Sequence, residues 1–260
     1  MLDIATIKKT GEALYACLRE TRTMPPLSVQ FPGLTIDDAY KISREFLFHR
    51  TTSGEKVVGK KIGVTSPAVQ EMLGVYQPDF GFMTDAMWQR NGIVDTTTLI
   101  APRAEAEIAF RLKDSLSGPG VTPEDVLRAT ESVIACFEIV DSRIENWDIK
   151  ITDTVADNAS CGVFVLSEEE VSPKGLDLAA LKVVVEKNGE FLSEGLGSAV
   201  QGAPENAVAW LANTLGEYGI PLHGGEIVLS GSLVPLAPAS TGDHFTMNID
   251  GLGSAEVRFR

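Results

Sequence analysis

The sequence predicts an α+β fold: a mixed, strand-rich core with peripheral helices and a helical segment at its N-terminus. Three observations carry that prediction. Helical periodicity is confined to the residues before Gly54 and to two later stretches. From Gly54 onward the chain breaks into short apolar runs separated by Gly, Pro and Asp. These runs do not alternate regularly with helices, which argues against a doubly wound parallel sheet. The expected division is a helical appendage over residues 1–55 and a mixed-β domain over 56–260, the latter a single structural unit. A chain of 260 residues can bury a sizeable core.

The elements follow in order. Residues 4–20 place Ile4, Ile7, Leu14, Cys17 and Leu18 at helical spacing. A link with Pro25, Pro26 and Pro32 separates them from a second helix. Thr35 can cap that helix, and Asp37 and Asp38 fall in its first turn, where the helix dipole favours negative charge. Its inner face is expected at Ala39, Ile42, Phe46 and His49. Strands are expected at 56–62, 104–112, 133–140, 162–166, 181–186, 226–229, 244–249 and 255–259. One interrupting helix starts at Thr122-Pro123, a capping residue followed by proline at the first helical position. Another spans about 204–218, with Ala207, Val208, Leu211 and Leu215 as its apolar stripe. Ser230-Gly231-Ser232 and residues 251–254 read as turns. There is no internal repeat and no low-complexity segment.

Composition excludes several function classes. The net charge is −14, from 22 basic and 36 acidic residues. Such a surface repels phosphates, so neither nucleic acid nor an anionic membrane is an expected partner. An anionic substrate would need a local cation, either a bound metal or a placed lysine. Cys17, Cys136 and Cys161 form no disulfide pattern and read as buried thiols. The N-terminus lacks the apolar core of a signal peptide, and no run approaches a membrane span, so the expected location is cytoplasmic.

The sharpest local feature is Pro102-Arg103-Ala104-Glu105-Ala106-Glu107-Ile108-Ala109-Phe110. On a strand, Glu105 and Glu107 project side by side. Either they face solvent, or they share a proton or a cation. Glu138 lies in the nearly unbroken apolar run Val133–Val140, which reads as a strand buried on both faces. A buried carboxylate needs a counter-charge. Arg103, Lys61 or Arg143 could supply it, or a divalent cation shared with Glu105 and Glu107. An all-carboxylate oxygen set favours Mg²⁺ or Mn²⁺ over Zn²⁺.

Three further segments carry candidates. In Gly59-Lys60-Lys61-Ile62-Gly63-Val64-Thr65-Ser66, the lysines either edge a sheet or alternate, one outward and one inward. Gln77-Pro78-Asp79-Phe80-Gly81 reads as a turn, with Asp79 an acid/base candidate. Residues 153–162, DTVADNASCG, read as a polar loop entering a strand, whose hydroxyls and amides bind either a carboxylate or the loop's own backbone. No Gly-x-Ser-x-Gly elbow is present, which disfavours covalent acyl chemistry.

Together, GKKIGVTS, GVYQPDFGFMTDAM, PRAEAEIAF, CFEIVDSRIENW, DTVADNASCG, VAWLANTLG, GEIVLSGSLVPL and GDHFTMNIDGLGSAEVRF span nearly the whole chain. They resemble the fumarylacetoacetate hydrolase superfamily, and within it the 2-hydroxypenta-2,4-dienoate (2-oxopent-4-enoate) hydratase branch. The resemblance implies a mixed β-roll of the superfamily's C-terminal-domain type, with 56–260 as the catalytic domain. It implies Mg²⁺ or Mn²⁺ held by Glu105, Glu107 and Glu138. It puts the active-site lysine on Lys61, the acid/base aspartate on Asp79, and a substrate-contacting serine on Ser160; Lys61 and Asp79 also contact substrate. The implied reaction hydrates 2-hydroxypenta-2,4-dienoate to 4-hydroxy-2-oxopentanoate in meta-cleavage aromatic catabolism. The alternatives are 4-oxalocrotonate decarboxylase and a hydratase of a longer dicarboxylate dienol such as 2-oxohept-4-ene-1,7-dioate, which would need an extra cation at the distal end of the pocket. A homo-oligomer, and a complex with 4-oxalocrotonate decarboxylase, are the implied assemblies.

Overall fold

A computed structural model describes residues 1–73 and 76–260. Gly74 and Val75, which open the segment GVYQPDFGFMTDAM, lie outside the described residues.

The N-terminal segment forms α1 (Ile4–Glu20), the short α2 (Leu27–Gln30) and α3 (Ile36–Thr52). Thr35 caps α3 as expected, its side chain accepting from Asp38 N. Ala39, Ile42 and Phe46 are buried, but Arg50, not His49, completes the inner face. Arg50 is four residues on from Phe46 and is held by Glu55 (2.7 Å) and Thr84 (3.1 Å), whereas His49 stacks half-buried on Tyr15.

Next come β1 (Val57–Gly63), α4 (Pro67–Leu73), β2 (Asp79–Thr84), β3 (Ile93–Val94), β4 (Arg103–Leu112), α5 (Pro123–Ala129) and β5 (Thr130–Val140). The chain continues through α6 (Ile151–Ala156), β6 (Cys161–Leu166), β7 (Lys182–Lys187), β8 (Glu190–Leu196), α7 (Pro204–Glu217), β9 (Ile227–Ser232), β10 (Ala237–Pro238), β11 (His244–Ile249) and β12 (Gly253–Phe259). One sheet runs β2-β1-β9-β4-β5-β6, with β10 also on β4; the other runs β3-β12-β11-β7-β8. Pairing is antiparallel except for β1 with β9 and β12 with β3, so the architecture is mixed.

The central pair β4 and β5 is buried on both faces, as the apolar run predicts. Ala104, Ala106, Ile108, Phe110 and Leu112 of β4 join the main core, which also takes Phe245, Met247 and Val257 from the second sheet and Leu14, Ile42 and Phe46 from the N-terminal helices. The opposite face carries Ala109, Ile134 and Cys136 against Met83, Phe164 and Leu229. The three glutamates lie on that second face.

Several segments differ from the sequence expectation. Residues 77–81 are not simply a turn: Asp79 begins β2, because Asp79, Phe80 and Gly81 pair with Gly63, Ile62 and Lys61 of β1. Long-range pairing overrides the turn propensity of Pro and Gly. Ser230-Gly231-Ser232 continues β9 beside Glu107, not a turn. The stretch 153–162 opens with α6 instead of a polar loop. Strand β8 is an exposed edge with no apolar alternation to reveal it.

Arg143 is fully buried and anchors this region. Its Nε donates to Asp157 Oδ1 at 2.5 Å, and its remaining donors reach the carbonyls of Asp141, Cys161 and Asp157. Burial pushes Asp157 up to about 6, while Arg143 pulls it back down. Asp157→Asn leaves a buried guanidinium without its counter-charge. The expected loss is about 3–5 kcal/mol of stability by urea denaturation; a loss under about 1 kcal/mol, the scale of an exposed pair, would contradict this reading.

Candidate metal centre and active site

Strand alternation sets Glu105 and Glu107 on one face of β4, and antiparallel register brings Glu138 of β5 directly opposite Glu105. One carboxylate oxygen from each of the three lies within 4.8 Å of the others. All three side chains are buried, Glu107 and Glu138 completely. The solvated-face alternative for Glu105 and Glu107 is therefore excluded.

Such a cluster is costly by itself. Burial raises Glu105 to about 8, and Glu138 adds to the rise. Glu107 is lifted well above the usual carboxylate range by burial and by its two neighbours. Glu138 is raised by burial against the opposing pull of Lys61. Gly231 N donates to Glu107 Oε2 at 2.8 Å, but Glu107 Oε1 and both oxygens of Glu138 have no hydrogen-bond partner. Orphaned buried carboxylate oxygens converging on one point fit a hard divalent cation.

Of the three proposed counter-charges, only Lys61 reaches Glu138. Its Nζ lies 3.2 Å from Glu138 Oε1, an ion pair off hydrogen-bond alignment. Arg143 is committed to Asp157, and Arg103 stacks over Trp147 at 4.3 Å from the ring centroid. Burial acts to lower Lys61, but Glu138, Asp79 and Glu105 outweigh it and keep the ammonium charged. Lys60 is also buried, on the other face of β1, where Glu226 binds it at 2.5 Å. Alternation separates the two lysines, but neither meets solvent.

Asp79 enters from β2, the strand beside Lys61. Its Oδ2 accepts from Thr154 Oγ1 at 3.1 Å, while its buried Oδ1 is unpartnered. Burial raises Asp79, with Lys61 and Thr154 opposing the rise. Thr154 Oγ1 is also 3.5 Å from Ser160 Oγ, so α6 ties Asp79 to the serine. Asn158, Ala159 and Ser160 adopt positive φ of 55°, 53° and 51° in succession. This strained turn is held by the Asn158 side chain, which accepts from Phe82 N at 2.8 Å and donates to Phe82 O at 2.9 Å. A Cβ on Gly81 would sit 2.4 Å from Asn158 O, so only glycine allows this approach.

The structure thus brings Lys61, Asp79, Ser160 and the three glutamates into one buried neighbourhood. Sequence reading did not single out Thr154, Asn158 or Gly63. Thr154 and Asn158 were visible only as members of a polar stretch. Gly63 matters because a Cβ there would lie 2.3 Å from Asp79 Oδ1 and 3.3 Å from Lys61 Nζ. Gly63→Ala is expected to displace both polar ends and to cut turnover at least about tenfold, since small misplacements of reacting groups are costly. Unchanged kcat would show that the two side chains need no such spacing.

The fold and this acidic face define a class. The chain belongs to the fumarylacetoacetate hydrolase family: the model of the Fumarylacetoacetate (FAA) hydrolase C-terminal domain matches residues 84–260. It is 57% identical to 2-hydroxyhexa-2,4-dienoate hydratase of Comamonas testosteroni, covering 100% of this chain and 99% of that one. It is 56% identical to 2-hydroxypent-2,4-dienoate hydratase of Pseudomonas putida, over 84% of this chain and 100% of the relative. Among solved structures, 4-oxalocrotonate decarboxylase from Pseudomonas putida G7, complexed with magnesium and adipate, superposes with a TM-score of 0.96 at 36% identity, covering 100% of this chain and 99% of that one. Among the described residues, no helix is long and apolar enough to cross a membrane.

Proposed function

We propose that this chain is a hydro-lyase that adds water to 2-hydroxypenta-2,4-dienoate, giving 4-hydroxy-2-oxopentanoate in meta-cleavage aromatic catabolism. The observation that carries the reading is the convergence of three buried glutamates, Glu107 and Glu138 with orphaned oxygens, beside the buried Lys61 and Asp79. The names of the hydratase relatives supply the substrate class.

Glu105, Glu107 and Glu138 would hold Mg²⁺ or Mn²⁺. When bound, the ion supplies Lewis-acid polarisation of the 2-oxo group and balances the substrate carboxylate. The rest of the chemistry falls to the chain. Lys61, kept protonated by its acidic neighbours, stabilises negative charge on the C2 oxygen by electrostatics and does not serve as a base. Asp79 handles the distal proton: the C2 enol loses its proton, C5 gains one, and the double bond moves to C3–C4. Water then adds its oxygen to C4 while C3 takes a proton, so one water is consumed overall. Thr154 orients the Asp79 carboxyl, and Ser160 binds substrate from the neighbouring turn.

The same reading carries a cytoplasmic homo-oligomer, association with 4-oxalocrotonate decarboxylase, and residues 1–55 as a helical appendage to the catalytic domain. The test is to follow dienol absorbance with the purified chain and Mg²⁺. Loss of absorbance with formation of 4-hydroxy-2-oxopentanoate, abolished by EDTA, is expected. The likeness to a decarboxylase supplies the second arm: CO₂ release from 2-oxo-3-hexenedioate without hydration would replace the hydratase reading with decarboxylation.

A further inference from the structure

An apolar cavity of about 350 Å³ lies at the end of β9, lined by Ser66, Val69, Ala199, Ser232, Val234 and Leu236. It is tied to the centre by register. Ser232 is the strand partner of Glu107, and the preceding residue, Gly231, donates its N–H to that glutamate. Leu236 and Ile151 both pack against Val64 and Val69, and Ile151 opens the helix whose Thr154 holds Asp79. The cavity therefore lies between the end of β9 that backs Glu107 and the apolar side chains on which α6 begins.

Its charge content is decisive. Among the described residues its lining comes from 66–69, 199 and 232–236, and none of the lining residues is Lys, Arg or His. The adjoining groove of Thr65, Pro67, Gln70, Ala199 and Gln201 is equally free of cations. A second carboxylate entering here would lose hydration without gaining a counter-charge, in a protein of net charge −14.

We infer that Val69, Val234 and Leu236 are specificity-determining residues that receive the distal end of a 2-oxo acid and admit only an uncharged, short alkyl terminus. The inference rests on the proposed active site and adds its selection against diacids. A monocarboxylate bearing a terminal methyl or ethyl group fits, and a dicarboxylate of equal length is excluded by desolvation.

Binding reads this out without turnover. Calorimetry in saturating Mg²⁺ would compare 2-oxohexanoate with 2-oxohexanedioate, which share one end and differ at the other. The full-length chain is expected to bind the monoacid at least about tenfold more tightly, the scale of an unpaired desolvated charge. Leu236→Lys should narrow that ratio by about tenfold, as a charged partner is gained, while the apolar Leu236→Met keeps it. Equal binding of the two acids by the parent protein would overturn the inference. So would an unchanged ratio in Leu236→Lys with its Mg²⁺-dependent thermal shift intact. Should Leu236→Lys fail to fold, Val234→Lys at the same wall gives the same decision. Hydration assays on the parent keep the two readings apart: selective binding without hydration would overturn the hydratase proposal and leave this one standing.

Discussion

Glu107→Gln is expected to leave the metal-free protein as stable as its parent, or more so, while removing its response to Mg²⁺. Without a cation, Glu107 is a buried acid pressed between Glu105 and Glu138, and burial lifts it well above its usual range. An amide has the same shape, keeps an oxygen for Gly231 N, and removes a potential negative charge from the cluster. A cation would lose a charged ligand. In the parent, Mg²⁺ at about 100 times its Kd stabilises by about 2.7 kcal/mol. That corresponds to a rise in Tm on the order of 5–10 °C for a chain of this size. Differential scanning calorimetry with and without Mg²⁺ reads both halves. An equal Mg²⁺-induced shift in Glu107→Gln would remove Glu107 from the ligand set.

Asp79→Asn should separate chemistry from metal binding. Asparagine preserves size and can still accept from Thr154, but cannot deliver or take up a proton. Turnover is expected to fall by about 10²- to 10⁴-fold, the range for losing a general acid–base group. The Mg²⁺-dependent thermal shift should persist, because Asp79 lies outside the cluster of Glu105, Glu107 and Glu138. Normal turnover in the variant would take the proton-handling role away from Asp79. Loss of the thermal shift as well would mean that Asp79 acts through the charge balance of the centre, by way of Lys61.

The strand plan was largely legible in the sequence because its interior strands are rich in apolar residues and bounded by turn formers. That β4 and β5 are strands follows from that texture, β5 being nearly unbroken in Val, Ile, Cys and Phe, whereas their antiparallel pairing does not. Helices α1, α3, α5 and α7 were legible from periodicity and capping residues. Asp79 was not, since Pro78 and Gly81 imitate a turn, and only pairing to β1 makes the segment a strand. Strand β8 was hidden for the opposite reason: an exposed edge needs no apolar alternation.

The sequence by itself determined that Glu105 and Glu107 share a face and that Glu138 sits where water does not reach, because these follow from a two-residue repeat and an apolar run. Only the tertiary structure decided which cation answers Glu138. Register put Glu138 opposite Glu105, and the packing of β1 sent Lys61, not Arg103 or Arg143, to meet it. Distances between strands remote in sequence depend on how the sheets close, and local propensity carries no information about that.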